Sequence, residues 1–263
     1  MGGKGFARGR ARWPVVLPLL LFFSAASPAF AQFWNKKSYR HWSASQCRKI
    51  LTSSPWTKLD SFSATEMPNG AEGSLVPGRQ PLMTITYRAQ FFSALPVREA
   101  DVRLAEIQAH YNRMSPAQKK SVNESAARYL ARRFPQYTVI RVTYGTNVGA
   151  WQSELSMGWQ LETTAKLRRS AYLVVDGKTI RLARFQLAPR NQQAFFLFFP
   201  RKVNHEPILS ANHKSLTLQV TNSNIHFSNS FGNGSPVGQP PPAGNIQFEF
   251  NVKQMLFHGK VAY

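Results

Sequence analysis

Apolar residues recur along this chain in two rhythms: helical spacing through much of the first half, and alternation in the second. Ser43-Ala44-Ser45-Gln46 has the S-x-x-Q form of a capping box, with Trp42 before it and Cys47, Ile50 and Leu51 on one face behind it. This predicts a helix from about Ala44 to Thr52, stopped by Ser54-Pro55, with Trp56 packing back and Arg48 and Lys49 turned outward. Residues 60–81 carry Pro68, Asn69-Gly70, Gly73, Pro77-Gly78 and Pro81 and read as a loop. From Leu82 to Phe92, Met83, Ile85 and Tyr87 alternate with Thr84, Thr86 and Arg88, a strand pattern. Pro96 opens a helix whose apolar stripe is Ala100, Leu104, Ile107, Tyr111 and Met114. Ser115-Pro116 starts a second helix, with Val122, Ala126, Tyr129, Leu130 and Phe134 on one face and Pro135 as its stop. Arg128, Arg132 and Arg133 suit the negative end of that helix. Tyr137 to Tyr144 returns as a strand, so 82–144 reads as a βαβ-like unit. Residues 145–158 follow neither rhythm.

After about Trp159 the pattern is β throughout. Tyr172–Val175, Asp176-Gly177 and Lys178–Leu182 form a hairpin signal, because D-G suits the positive φ angles of a type I′ turn. Phe195–Phe199 reads as a central strand closed by Pro200. Leu216, Leu218 and Val220 alternate, as do Ile246, Phe248, Phe250 and Val252. Ile225-His226-Phe227 adds a short strand, residues 229–245 with four Gly and four Pro a loop, and Met255–Tyr263 an edge strand. Short strands at this spacing predict a β-sandwich-like half. The expected class is α+β, with an N-terminal helix, a βαβ-like middle and the sandwich-like C-terminal half. The expected core draws on Trp42, Ile50, Leu51, Trp56, Leu104, Ile107, Leu130, Ile140, Val142, Val174, Phe196, Phe198, Leu218, Phe248 and Phe250. Residues 32–81 are expected as helix and loop, 82–158 as an α+β region and 159–263 as a β-rich region.

The first 31 residues change the picture. Lys4, Arg8, Arg10 and Arg12 precede the apolar run Val15–Phe23, and Ala29-Phe30-Ala31 ends the segment. That order reads as a secretory signal peptide cleaved after Ala31, placing the mature chain in the periplasm or outside the cell. The run is shorter than the ~20 apolar residues of a membrane span, and no later segment is long enough either. The whole chain carries 33 Lys+Arg against 12 Asp+Glu, a formal net charge of +21; loss of the four basic signal residues leaves +17. Such an excess points to anionic partners: acidic lipid, polysaccharide or cell-wall polymer. Export argues against nucleic acid, despite basic-aromatic segments such as Lys36–Trp42 and Arg181–Phe185. Cys47 is the single cysteine, so no intrachain disulfide forms, and its helical setting reads as a small buried apolar residue rather than a nucleophile.

Chemistry-bearing motifs are few. The chain has no HExxH, CxxC, GxSxG or SxxK and no phosphate-binding glycine loop. Its three aspartates, Asp60, Asp101 and Asp176, fall in a loop, a helix and a turn. Glu154, Glu162, Glu206 and Glu249 are the carboxylates left for a glycosidase-like pair, and nothing in their spacing pairs them. His205, Glu206, His213 and His226 form the best metal constellation, without the spacing of a zinc motif. No catalytic, cofactor or metal residue is therefore expected.

Tyr39-x-x-Trp42-Ser43 followed by Ile50-Leu51-Thr52-x-Ser54-Pro55-Trp56 resembles the N-terminal segment of a group of uncharacterised secreted bacterial proteins, with a W-[ST] helix start and an L-x-x-SPW close. Ala94-Leu95-Pro96-Val97-Arg98 is similar to that group's strand-to-helix junction. Phe199-Pro200-Arg201, Phe248-x-Phe250 and Met255-x-Phe257-x-Gly259-Lys260 are similar to its C-terminal half. The resemblance implies a shared scaffold and brings no activity or site residue with it. The expected function is an exported, non-enzymatic protein that binds an anionic envelope component or another envelope protein. The alternative is an exported hydrolase with an acid/base site that leaves no local motif.

Overall fold

A capping box opens the first long element as the sequence predicts. The structure, a computed structural model, describes residues 32–65, 82–189, 192–225 and 244–263. A single turn, α1 (Phe33–Lys36), and a 3-10 turn at Tyr39–His41 lead to α2 (Ala44–Thr52). There the Ser43 hydroxyl accepts from Gln46 N, and the Gln46 amide oxygen accepts from Ser43 N. Cys47 and Ile50 are fully buried, and burial pushes the Cys47 thiol up to about 11. The SPW close is a C-terminal lock. The Ser54 and Thr57 hydroxyls both donate to the Ile50 carbonyl, at 2.7 and 2.9 Å, and Trp56 N donates to the Ser54 hydroxyl. These bonds satisfy a carbonyl that a helix end leaves open.

The chain then runs through β1 (Thr57–Thr65), β2 (Leu82–Phe91), α3 (Leu95–Gln108), α4 (Pro116–Leu130) and β3 (Tyr137–Thr146). Next come α5 (Gly149–Gln160), α6 (Thr164–Leu167), β4 (Ala171–Val175), β5 (Lys178–Arg181), β6 (Arg184–Leu187) and β7 (Ala194–Pro200). A small hairpin, β8 (Lys202–Val203) and β9 (Glu206–Pro207), precedes β10 (Ser215–Thr221) and β11 (Asn245–Asn251). A second small hairpin, β12 (Leu256–Phe257) and β13 (Lys260–Val261), follows. The class is α+β. Among the described residues all sheet pairings are antiparallel: a five-stranded sheet in the order β1-β2-β3-β7-β6 and a four-stranded sheet in the order β11-β10-β4-β5.

Cross-strand partners share a face, which fixes the layers. Tyr87, Ala89 and Phe91 stand opposite Tyr144, Val142 and Ile140, which in turn stand beside Phe195 and Leu197. This inner face is fully or almost fully buried. Phe91 meets Phe250 of the four-stranded sheet edge-on at 4.9 Å, and Trp159 of α5 lies 4.0 Å from Phe195 and 6.2 Å from Tyr87. On the outer face Phe92 packs against Tyr129, Phe134 and Phe196, seating α3 and α4. α3 and α4 thus cover one face of the large sheet, the small sheet and α5 lie on the other, and residues Trp34–Tyr263 form one compact unit. Trp56 Nε1 donates to the Ala262 carbonyl at 2.8 Å, tying the closing hairpin to the start of the unit.

Several elements differ from the sequence expectations. Residues 57–65 form a strand where 60–81 read as loop; residues 66–81 lie outside the described residues. The strand–helices–strand segment is present, but β2 and β3 are antiparallel neighbours rather than the parallel pair of a βαβ unit. The ambiguous stretch 145–158 holds the end of β3 and most of α5, and α5 with α6 carries helix beyond Trp159. The strands after Trp159 do not stay together: β6 and β7 complete the large sheet, and only β4, β5, β10 and β11 form the second. The inward face of α3 is Val97, Arg98, Ala100, Val102 and Glu106, leaving Leu104 and Ile107 half-buried, and His110 in the left-handed region ends the stripe before Tyr111. α4 stops at Leu130, short of Phe134. Met255–Tyr263 makes its own hairpin instead of an edge strand. Leu51, Leu130, Val174 and Phe196 are half-buried; Val174 turns outward because the alternate residues Leu173 and Val175 face the core. The Asp176-Gly177 turn is as expected, with φ of 44° and 83°. His226-Phe227 and the signal-like first 31 residues lie outside the described residues. Among the described residues no helix is long and apolar enough to cross a membrane.

Candidate functional site

Arg98 sits in the first turn of α3 with only 6 % of its surface exposed. Its position follows from the Ala94–Arg98 junction: Pro96 fixes the first helical turn, and Val97 and Arg98 both turn inward. Its Nη1 donates to three carbonyl oxygens at the end of α4: Tyr129 at 3.3 Å, Leu130 at 2.8 Å and Arg132 at 2.9 Å. Those carbonyls form the negative end of a helix dipole, so a buried cation caps a neighbouring helix. Burial lowers the guanidinium's pKa, yet arginine stays charged. The group lies 5.5 Å over the Phe134 ring, and its buried Nε finds no acceptor among the described residues. The described ion pairs are Arg103–Glu106 and Arg141–Asp101, so among the described residues Arg98 makes no ion pair, and Glu99 acts on it only through the field between them.

Arg201, just past the end of β7, faces the same space. Its Nη1 donates to the main-chain oxygen of Tyr263 at 2.8 Å, and the guanidinium stacks 4.2 Å over the Tyr263 ring. Arg132 lies 5.4 Å over Tyr129, and Arg133 is exposed beside it. The four arginines border a cavity of about 550 Å³ whose other walls are Ser93, Leu95, Leu130, Ala131, Phe134, Pro135, Ala262 and Tyr263. Among the described residues no acidic side chain lines it. Three of the guanidiniums are braced against rings, which holds a planar fork of donors ready for an anion. The Ser93 hydroxyl exchanges hydrogen bonds with Val139 N and O, so it is already engaged. The arrangement is suited to holding negative charge.

None of the protein-family models matches the chain, and neither the curated proteins nor the solved structures give a match.

The residues singled out in the sequence are scattered. Asp60 lies in β1, Asp176 in its turn, Glu206 in β9, and Glu249 on the exposed side of β11 opposite Thr217. His205 occupies the β8–β9 turn at a φ of 67°, and His213 Nδ1 accepts from Ser210 N at 3.0 Å. His226 is outside the described residues, and among those described no group of three metal-ligating side chains gathers. Trp42 is core, while Lys36, Lys37 and Arg40 are exposed around it. Glu162 is buried and accepts from Asn224 Nδ2 at 2.6 Å.

Asp101 is the carboxylate with most company. It accepts from the Tyr129 hydroxyl at 3.1 Å and pairs with Arg141 at 3.5 Å, while burial raises its pKa and that of Tyr129. Both side chains border a second cavity of about 430 Å³ between α3 and α4, walled largely by Val102, Ala105, Ala109, Val122 and Ala126. Their partners tie α3 to α4 and to the sheet. Nothing in the sequence marks Arg98 or Arg201 as a pair, although one follows the Leu95-Pro96 helix start and the other the Phe199-Pro200 strand end. An arginine turned inward at a helix start leaves no pattern distinct from one turned outward.

Proposed function

We propose that this chain is an exported, envelope-associated binding protein that holds an anionic component in the arginine-bordered cleft. The observation that carries the reading is the convergence of Arg98, Arg132, Arg133 and Arg201 on one cavity without an acidic side chain among the described residues of its wall. The basic excess of the chain draws anions toward it, and the signal-like first 31 residues support a place in the periplasm or beyond. A saccharide or lipid bearing phosphate or carboxylate groups fits this chemistry, because both groups match the guanidinium fork. The alternative, an exported hydrolase, rests on the Asp101–Tyr129 pair, whose groups are already bonded to each other and to Arg141; an Asp101→Asn variant with reduced hydrolysis of a chromogenic ester or glycoside would favour it.

The test is a titration of the purified protein with inorganic phosphate, polyglutamate, polyphosphate and phosphatidylglycerol vesicles over a range of salt. Saturable binding to one of these, weakened roughly tenfold or more by Arg132→Ala with Arg201→Ala, supports the reading; tenfold corresponds to about 1.4 kcal/mol. Equal, weak binding to all four that vanishes with salt, or a variant that binds as well as the parent, overturns it.

A further inference from the structure

A second polar cavity lies away from the arginine cleft, at the end of α5. The loop Asn222–Asn224 is fastened there. Asn222 N donates to the Gly244 carbonyl, Asn222 Nδ2 to the Gly158 carbonyl at 3.1 Å, and Asn224 N to the Asn222 side chain at 2.8 Å. This places Asn224 against Glu162, just past the end of α5. Glu162 is buried, with 7 % of its surface exposed; one carboxylate oxygen takes the Asn224 amide, and the other, Oε2, has no donor among the described residues. A buried acceptor without a partner is costly and is uncommon in a folded protein.

Glu162 is one wall of a cavity of about 380 Å³, a size that accepts a small molecule. Lys166, Arg169, Ser170, Thr221 and Ser223 also line it. Lys166 stands four residues after Glu162, the spacing of a helical ion pair, yet its Nζ donates to the Leu161 carbonyl at 3.1 Å instead. Neither cation forms an ion pair among the described residues. The cavity is therefore lined by both signs of charge, with no ion pair among the described residues joining them.

We infer that this cavity is a site for a small zwitterion, whose ammonium group Glu162 receives and whose carboxylate Lys166 and Arg169 receive. A free α-amino acid and a short peptide share that chemistry. An ammonium donating to Oε2 supplies the missing partner, and its own charge offsets the buried carboxylate. A ligand with only one of the two charges leaves the other charge of the lining unanswered.

Calorimetric titration with glycine, L-alanyl-L-alanine, its N-acetyl form and its C-terminal amide tests this. Saturable binding of glycine or the dipeptide is expected, glycine alone pointing to free amino acids and the dipeptide to peptides. Acetylation and amidation should each weaken binding tenfold or more. Glu162→Gln, which keeps an acceptor for Asn224, should abolish binding, and Arg169→Ala should weaken the parent dipeptide but not its amide. Should Glu162→Gln fail to fold, the blocked ligands and Arg169→Ala decide alone. No binding by either zwitterion, or equal binding by the blocked forms, overturns the inference.

Discussion

Arg98 carries two duties in one guanidinium: it closes α4 and it forms the floor of the arginine cleft. Its structural duty is measurable. Arg98→Met keeps much of the side chain's apolar stem but removes three bonds from a charged donor, so urea denaturation should show a loss of about 2–3 kcal/mol. Next to it, burial lifts the Glu99 carboxyl from 4.5 to about 7, with Arg98 pulling the other way. A carboxyl whose folded pKa exceeds its unfolded one holds its proton more tightly when folded. Its contribution to stability therefore falls as pH rises between about 4.5 and 7 and is level above. Glu99→Gln should melt close to the parent near pH 4.5 and above it at pH 8; a difference that stays constant with pH would refute the assignment. Glu162 gives a third residue-level expectation. Replacing this buried carboxylate with Gln should leave the melting temperature unchanged or raise it by a few degrees, since Gln keeps the acceptor for Asn224 and removes the oxygen that has no donor among the described residues. At this scale the sequence is readable where a side chain bonds to its own neighbours, as Ser43 does with Gln46. It is silent on Arg98 and Glu162, whose partners come from α4 and from Asn224, 31 to 62 residues away.

Elements with their own start and stop signals are legible: α2 occupies the span its cap and its Ser54-Pro55 stop mark out, and the β4–β5 hairpin follows its Asp-Gly turn. β1 is not, because Thr57–Thr65 is mostly polar and is made a strand by pairing along its whole length with β2. α5 is hidden for the opposite reason. Its buried residues Trp151, Leu155 and Trp159 do recur every four positions, but Gly149 and Gly158 argue against a helix. Gly158 has a packing reason. A Cβ there would stand 2.8 Å from Ile225 Cγ1 and 3.2 Å from the Asn224 carbonyl oxygen. Gly158→Ala, which stabilises an ordinary helix, should here cost about 1–3 kcal/mol by equilibrium denaturation.

At the scale of the whole molecule, the βαβ-like expectation gives way because β2 and β3 pair antiparallel, and the strands expected in one C-terminal half divide, β6 and β7 joining the large sheet. The large sheet takes strands from residues 57 to 200, so distant segments must assemble at once. Truncating the contact between the sheets, Phe250→Ala, should cost about 3–5 kcal/mol and lower the melting of both sheets in one transition rather than two. The same cooperativity gives Cys47 a use no side chain was recruited for. Its thiol is sealed in the core and protonated at neutral pH, so an alkylating reagent meets it only in molecules that have opened. The chain thus carries a natural clock for its own unfolding: the rate at which native protein is labelled, divided by the rate in urea, reports the fraction open, and any true ligand slows the clock.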